Sequence, residues 1–291
     1  MLTLIACIAF TSERHEWAGF FARRRLAFLP GGWGGKWIFF VFLQGIYFFI
    51  MEDLLERWQR ELRECASEAK AGDLARFFKT GQGEYGEGDV FAGIVVPDCR
   101  KVSAAYADAP FEVIGEMLSH EVHEFRLGGL LALVRRYASA RNREDRIDIS
   151  RFYIEHAGCA NNWDLVDLSA PYILGCELVE GRGLDIIEGL TAKGDLWSLR
   201  IAVVSTLALI RRGRFELTLR LAEGLVGHEH QLLQKASGWM LREVGKRDME
   251  TLRGFLRGNV GRMSATALSY ATEKMLKPER EYWRGRRKAG M

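Results

Sequence analysis

From Glu52 onward, apolar residues recur at intervals of three and four, the period that lines them along one face of a helix. Leu54, Leu55, Trp58 and Leu62 share such a stripe, with Glu56, Arg57, Arg60 and Glu61 elsewhere. The same spacing predicts helices over 98–107, 110–118, 123–139, 144–157, 163–176, 177–190, 196–211, 213–226, 231–246, 248–257 and 262–275. Breaks fall at Asp108-Ala109-Pro110, Gly158, Gly181–Gly183, Lys193-Gly194-Asp195 and Gly258-Asn259 as stop and cap signals. No alternation of apolar and polar positions is long enough for a strand. The expected fold class is all-α.

The helices also repeat. Residues 126–136 (RLGGLLALVRR) resemble 200–212 (RIAVVSTLALIRR), and a weaker copy opens at Lys235 (KASGWMLRE). The first two copies start 74 residues apart, twice 37, and the third follows after 35. A degenerate period in the mid-thirties, one helix pair per unit, is the mark of an α-solenoid. Such pairs cannot bury their apolar faces alone, so they stack, and the concave side of the stack forms a groove for an extended partner.

The first fifty residues break this pattern. Trp37 to Ile50 (WIFFVFLQGIYFFI) is a 14-residue apolar run behind Arg23-Arg24-Arg25 and a glycine-rich patch at Gly31–Gly35. A membrane span needs about 20 apolar residues, and no small-x-small cleavage site follows the run. Met51-Glu52-Asp53-Leu54-Leu55 reads as an ordinary start. The expected layout is therefore an atypical, non-native or unstructured extension over 1–50, a repeat domain over 51–276 and a basic tail over 277–291. A membrane anchor and a secretion signal are the alternatives for the extension; phosphate contacts and a frayed solvated end are the alternatives for the tail.

Composition narrows the classes. With 48% hydrophobic and 11% aromatic residues, the 291-residue chain is too apolar to be disordered. Its five cysteines contain no C-x-x-C pair, which excludes a disulfide framework and a four-thiolate metal site and points to a reducing, cytoplasmic setting. The net charge of +3 resides in the first fifty residues, because 51–291 hold 36 acids and 36 bases. Within that part, 52–89 carry ten acids against six bases, and 277–291 six bases against two acids. A uniformly basic surface is excluded; a local basic stripe is not.

Several motif matches carry no chemistry. Gly81-Gln-Gly83-Glu-Tyr-Gly86 satisfies G-x-G-x-x-G, yet a helix rather than a strand precedes it, and Glu84 and Glu87 would repel a pyrophosphate. A flexible loop is expected there. His120-Glu121-Val122-His123 spaces its histidines three apart instead of four, and His228-Glu229-His230 splits its rings across a helix. All are expected at the surface, and no metal or cofactor is expected. Neither a Walker-type lysine loop nor a G-x-S-x-G elbow is present.

Three pieces remain. Asn161-Asn162-Trp163-Asp164-Leu165-Val166-Asp167 opens a helix on an asparagine cap, with Trp163 and Asp167 on one face. Pro171 has no N–H for the Asp167 carbonyl, so a kink is expected at the carboxylate. Lys235, Trp239 and Arg242 sit at i, i+4 and i+7, and Trp197 pairs with Arg200 at i, i+3. A helical Trp is most often core and a helical Asp most often a cap, but cations mixed with indoles on solenoid helices also suit a nucleic-acid groove.

Taken in order, residues 77–102, 123–137, 161–175 (NNWDLVDLSAPYILG), 195–212 and 234–246 (QKASGWMLREVGK) resemble the HEAT-like-repeat DNA alkylation repair glycosylases of the AlkD type. The resemblance runs from about Glu52 to Lys277. It implies a monomeric enzyme that excises cationic N3- and N7-alkylated purines, such as 3-methyladenine and 7-methylguanine, from duplex DNA without flipping the base into a pocket. On this resemblance Asp167 matches the catalytic aspartate, and Trp163 and Trp239 the indoles that pack on the sugar and backbone. Arg200 and Arg242 match phosphate-contacting arginines; Lys235, Phe77 and Lys79 complete the candidate DNA contacts. Phe77 stands where founding members have a tyrosine, and Asn162 where a second tryptophan is frequent. The competing expectation is a non-catalytic solenoid that binds distorted DNA or a protein partner.

Overall fold

A computed structural model describes residues 34–290, with side chains described from Gly45 on. The chain divides into two compact units, Met1–Phe49 and Ile50–Met291. The described residues of the first unit lie in helix α1 (Gly34–Arg63); the arginine triplet at 23–25 lies outside the described residues. No described helix is long and apolar enough to cross a membrane.

Among its described residues the second unit holds helices and no strand, joined by turns and loops of which 78–95 is the longest, with one isolated parallel bridge between Val90 and Val122. After the end of α1 come α2 (Glu68–Phe77), α3 (Val96–Ser103), α4 (Phe111–Leu118), α5 (His123–Ser139), α6 (Arg143–Glu155), α7 (Trp163–Asp167) and α8 (Leu174–Val179). They are followed by α9 (Leu184–Lys193), α10 (Leu196–Ser205), α11 (Leu207–Arg211), α12 (Glu216–Leu225), α13 (Gln231–Arg247), α14 (Met249–Asn259), α15 (Ala265–Ala271) and α16 (Lys277–Lys288). The helices stack as a solenoid does. One file runs α5, α7, α10, α13, α15, each packed on the next, while α3 and α4 back α5, α9 backs α10, and α12 and α14 back α13.

Apolar burial holds the file together. One core runs from Trp58 and Leu62 of α1 through Leu130 and Leu133 of α5 and Val203 and Val204 of α10 to Val244 of α13. A second gathers Leu241 of α13 with Leu252 and Leu256 of α14, Leu268 of α15 and Trp283 of α16. Each fully buried aliphatic side chain contributes roughly 1.5–3 kcal/mol against exposure. Glycines let the file close: a Cβ on Gly175 would stand 2.5 Å from the Ser205 carbonyl, and one on Gly238 would stand 2.6 Å from the Ala267 carbonyl.

Two expectations need correction. The helix expected over 163–176 breaks outright after Asp167 and resumes at Leu174. Pro171 offers no N–H to the Asp167 carbonyl, and the Ser169 hydroxyl turns back onto the Leu165 carbonyl at 2.6 Å. The result is a one-turn helix with Trp163 at one end and Asp167 at the other. The basic tail, in turn, is no frayed end: it forms α16, with Pro278 in its first turn and Trp283 buried. Glu279 takes two bonds from Arg253, at 2.7 and 3.0 Å.

Candidate functional site

Asp167 sits where the backbone leaves the helical path, and its carboxylate turns to the neighbouring α10. Arg200 meets it edge-on: Nε donates to Oδ1 at 3.0 Å and Nη2 to Oδ2 at 2.8 Å, while Nη1 donates to the Leu232 carbonyl at 2.7 Å. The Arg200 side chain is 5% exposed and that of Asp167 16%, so the carboxylate keeps a window to solvent that the guanidinium lacks. Burial pushes the Asp167 carboxyl above its ordinary range, and the Arg200 charge pulls it back. Because a guanidinium does not surrender its proton and both oxygens accept charge-assisted bonds, the pair holds Asp167 as a carboxylate. Arg200 therefore anchors the carboxylate and does not stand free in a groove, contrary to the phosphate contact expected for it.

Trp163 is half-buried at the head of α7. The Asn162 side chain caps the helix, accepting the Trp163 backbone N–H at 2.8 Å. The indole stacks on Phe78 at a centroid distance of 5.1 Å and meets Phe77 edge-on at 5.8 Å. Phe77 itself is 62% exposed, a ring offered to solvent beside the indole. Tyr85, from the glycine-rich stretch, also lies against Trp163. Burial pushes its phenol up, and a hydrogen bond with the indole opposes the shift. Sequence reasoning missed this hydroxyl, since its proximity to Trp163 arises only when the loop folds back.

That loop is not the flexible one expected. The Glu84 carboxylate accepts the Gly81 N–H at 3.0 Å and Glu87 accepts that of Gly83 at 2.8 Å, so the loop's acids staple its own backbone. Lys79 turns the chain in a left-handed conformation (φ 59°), its carbonyl accepting the Gly86 N–H at 3.0 Å. A Cβ at Gly86 would stand 2.4 Å from the Phe78 carbonyl, so only glycine fits. The Lys79 ammonium pairs with Glu84 at 3.7 Å.

The third piece lies on α13, on the far side of α10 from α7. Trp239 is half-buried against the main core. Lys235 is half-buried with no ion pair among the described residues. Arg242 bonds Glu273 of the segment after α15 and, at 3.4 Å, Glu243. Its charge is thus shared with two carboxylates. Leu232, whose carbonyl takes the Arg200 proton, belongs to the same helix, so one guanidinium ties α7, α10 and α13.

A buried polar cluster adjoins the site. His123, expected at the surface, is 1% exposed. Its Nε2 lies 2.9 Å from Asp164 Oδ2 and its Nδ1 3.3 Å from Asp89 Oδ2. Asp89 also receives Arg126 Nη2 at 2.5 Å, Asn162 Nδ2 at 3.1 Å and Asn161 Nδ2 at 3.3 Å. A neighbouring carboxylate, Glu124, accepts the backbone N–H groups of Ala92, Gly93 and Ile94 at 2.8–3.1 Å. The sequence carried one sign of this: His123, Glu124 and Arg126 are polar residues within an otherwise buried helix. Asp89 is too distant in the chain for local spacing to reveal it. No group of three His, Cys, Asp or Glu suited to a metal occurs among the described residues.

The comparisons come to bear on this geometry. A model of the DNA alkylation repair enzyme family matches residues 58–275. Among solved structures the chain is similar to one described as a predicted DNA alkylation repair enzyme from Enterococcus faecalis. The identity is 18% over 73% of this chain and 97% of that one, with a TM-score of 0.56. A likeness at that identity speaks for the fold alone. No curated protein matches the chain.

Proposed function

The chain belongs to the DNA alkylation repair enzyme family, and from that premise we propose that it is a monofunctional DNA glycosylase. Its substrates would be cationic N3- and N7-alkylated purines, such as 3-methyladenine and 7-methylguanine, in duplex DNA. Alkylation places a positive charge on the purine. When the C1′–N bond breaks, its electron pair neutralises the base, which leaves without a protonating acid. A pair of carboxylates such as ordinary glycosidases use is unnecessary.

The positive charge then passes to the deoxyribose. Asp167 would stabilise it and orient the water that adds to C1′, whose proton departs to the carboxylate or solvent. Trp163 and Trp239 would offer indole faces to the same cation. Phe77 would pack beside Trp163, and Lys235, Lys79 and Arg242 would meet phosphates, Arg242 by exchanging a carboxylate partner for one. Arg200 enters this reading as the group that holds and ionises Asp167.

The observation that carries the proposal is an arginine-paired, partly exposed carboxylate at the broken end of the helix that Trp163 opens. A carboxylate has about four lone-pair sites, and Arg200 occupies two, so acceptor capacity remains on the solvent side. The same pairing favours a second reading. A carboxylate already neutralised by arginine suits a non-catalytic relative that binds distorted DNA.

Release of 7-methylguanine from methylated duplex DNA by wild type and by Asp167→Asn separates them. The glycosylase reading expects release by wild type and a loss of about 100- to 1,000-fold in the variant. Equal release by both would remove Asp167 from the chemistry, and release by neither would leave the binding protein.

A further inference from the structure

His123 is not among the residues that touch DNA in the reading above, yet three of the groups that set the position of Trp163 lead to it, directly or through Asp89. Asn162, whose side chain caps Trp163, is held by Asp89. Asp164, the residue after Trp163, is held by His123 Nε2. Phe78, on which the indole stacks, lies 5.1 Å from the imidazole, which also stacks on Phe91 at 4.5 Å. The indole is therefore fixed by its cap, its neighbour and its stacking partner: the last two touch the imidazole, and the cap is tied to it through Asp89.

Geometry sets the protonation state of that ring. Both nitrogens face carboxylate oxygens, and a neutral imidazole has only one N–H to donate, leaving a lone pair against the other carboxylate. The charged groups facing His123 are Asp89 from the loop before α3 and Asp164 of α7, with Arg126 of its own helix reaching it through Asp89. With the imidazolium these side chains, all at most 8% exposed, sum to zero; with the neutral ring a net negative charge is left buried. The two phenyl faces favour the cation as well. Burial alone would push the ring down, but the bonds to Asp164 and Asp89 raise it to about 8.

We propose that His123 is a positioning residue: as an imidazolium bridging Asp89 and Asp164 it locks the head of α7 and so holds the Trp163 indole in its working orientation beside Asp167. This rests on the glycosylase reading, and the test is built so that the two fail separately. In wild-type protein, ring 15N signals of His123 are followed from pH 6 to 10 beside the indole signal of Trp163, assigned with Trp163→Phe. Two protonated nitrogens are expected at pH 7, and the indole signal should move as the ring loses a proton near pH 8. A single N–H at pH 7, or an indole signal unmoved through that titration, overturns the proposal whether or not the protein cleaves anything. In the excision assay, His123→Gln should lower the single-turnover rate about 10- to 100-fold with undamaged-duplex affinity unchanged. It should also abolish the fall in rate expected of wild type above pH 8. An alkaline limb that survives in His123→Gln would equally sink the proposal. No release by wild type at any pH would refute the glycosylase while the nitrogen and indole signals still decide the role of His123.

Discussion

Two arginine–aspartate clamps occupy matching places in the repeat and are finished differently. Arg126 and Arg200 open the two similar stretches, and each reaches an aspartate from a preceding segment while donating to carbonyls outside its own helix. Asp89 takes further bonds from His123, Asn161 and Asn162 and is sealed; Asp167 has Arg200 alone and a window to solvent. Their acidities diverge accordingly. Burial pushes both up, but the bonds from His123 and Asn162 and the Arg126 charge bring Asp89 down to about 2, whereas burial prevails at Asp167. The number of donors around a buried carboxylate, more than the arginine they share, separates a structural anchor from a group available for chemistry.

The comparison breaks first on stability. Asp89→Asn leaves only Asp164 against the buried charges of His123 and Arg126, and urea unfolding at pH 7 should show a loss of about 3–5 kcal/mol. Asp167→Asn strands Arg200 beside a window to solvent and should cost less; equal losses would mean that the two clamps are alike. Next in size is Arg200→Lys. A point charge cannot hold both oxygens edge-on, so excision should fall about 10- to 100-fold with duplex affinity unchanged. Weaker binding across all sequences with the rate intact would return Arg200 to the phosphates.

Acid titration sharpens the contrast through sign. A depressed carboxyl such as Asp89 contributes stability that is present above pH 4 and lost as pH falls toward 2. The raised Asp167 carboxyl works oppositely: its ionisation opposes folding as pH climbs through its native value, so protonation on acidification relieves that cost. The stability gap between wild type and Asp89→Asn should therefore narrow on acidification, and that of Asp167→Asn should not narrow with it. Calorimetry from pH 7 to 3 reads both. The smallest effect belongs to Arg242→Ala, which should weaken duplex binding and shallow its salt dependence by about one ion. An unchanged slope would show that Glu273 and Glu243 keep Arg242 from phosphate.

The helical fold was legible because apolar spacing is local, and α5 and α13 fall within a residue of their expected limits, whereas the helix expected over 177–190 is cut at Gly181–Gly183 into the ends of α8 and α9. The pairing of Asp167 with Arg200 was not, since 33 residues separate them and each alone looked fit for another task. His123 escaped because its partners lie 34 and 41 residues away and its local motif suggested only a failed metal site. The break after Asp167 was half-visible: Pro171 announced a lost hydrogen bond, but Ser169 decided that the helix would stop.

Stacked repeats have no intrinsic last member, since each apolar face invites another like it. Here α16 lies over the second core: Trp283 plugs it, while Arg284 and Lys288 stay exposed. The same residues that looked like a polyanion-seeking tail thereby form a cover, shielding from solvent the apolar faces that α14 and α15 turn toward them.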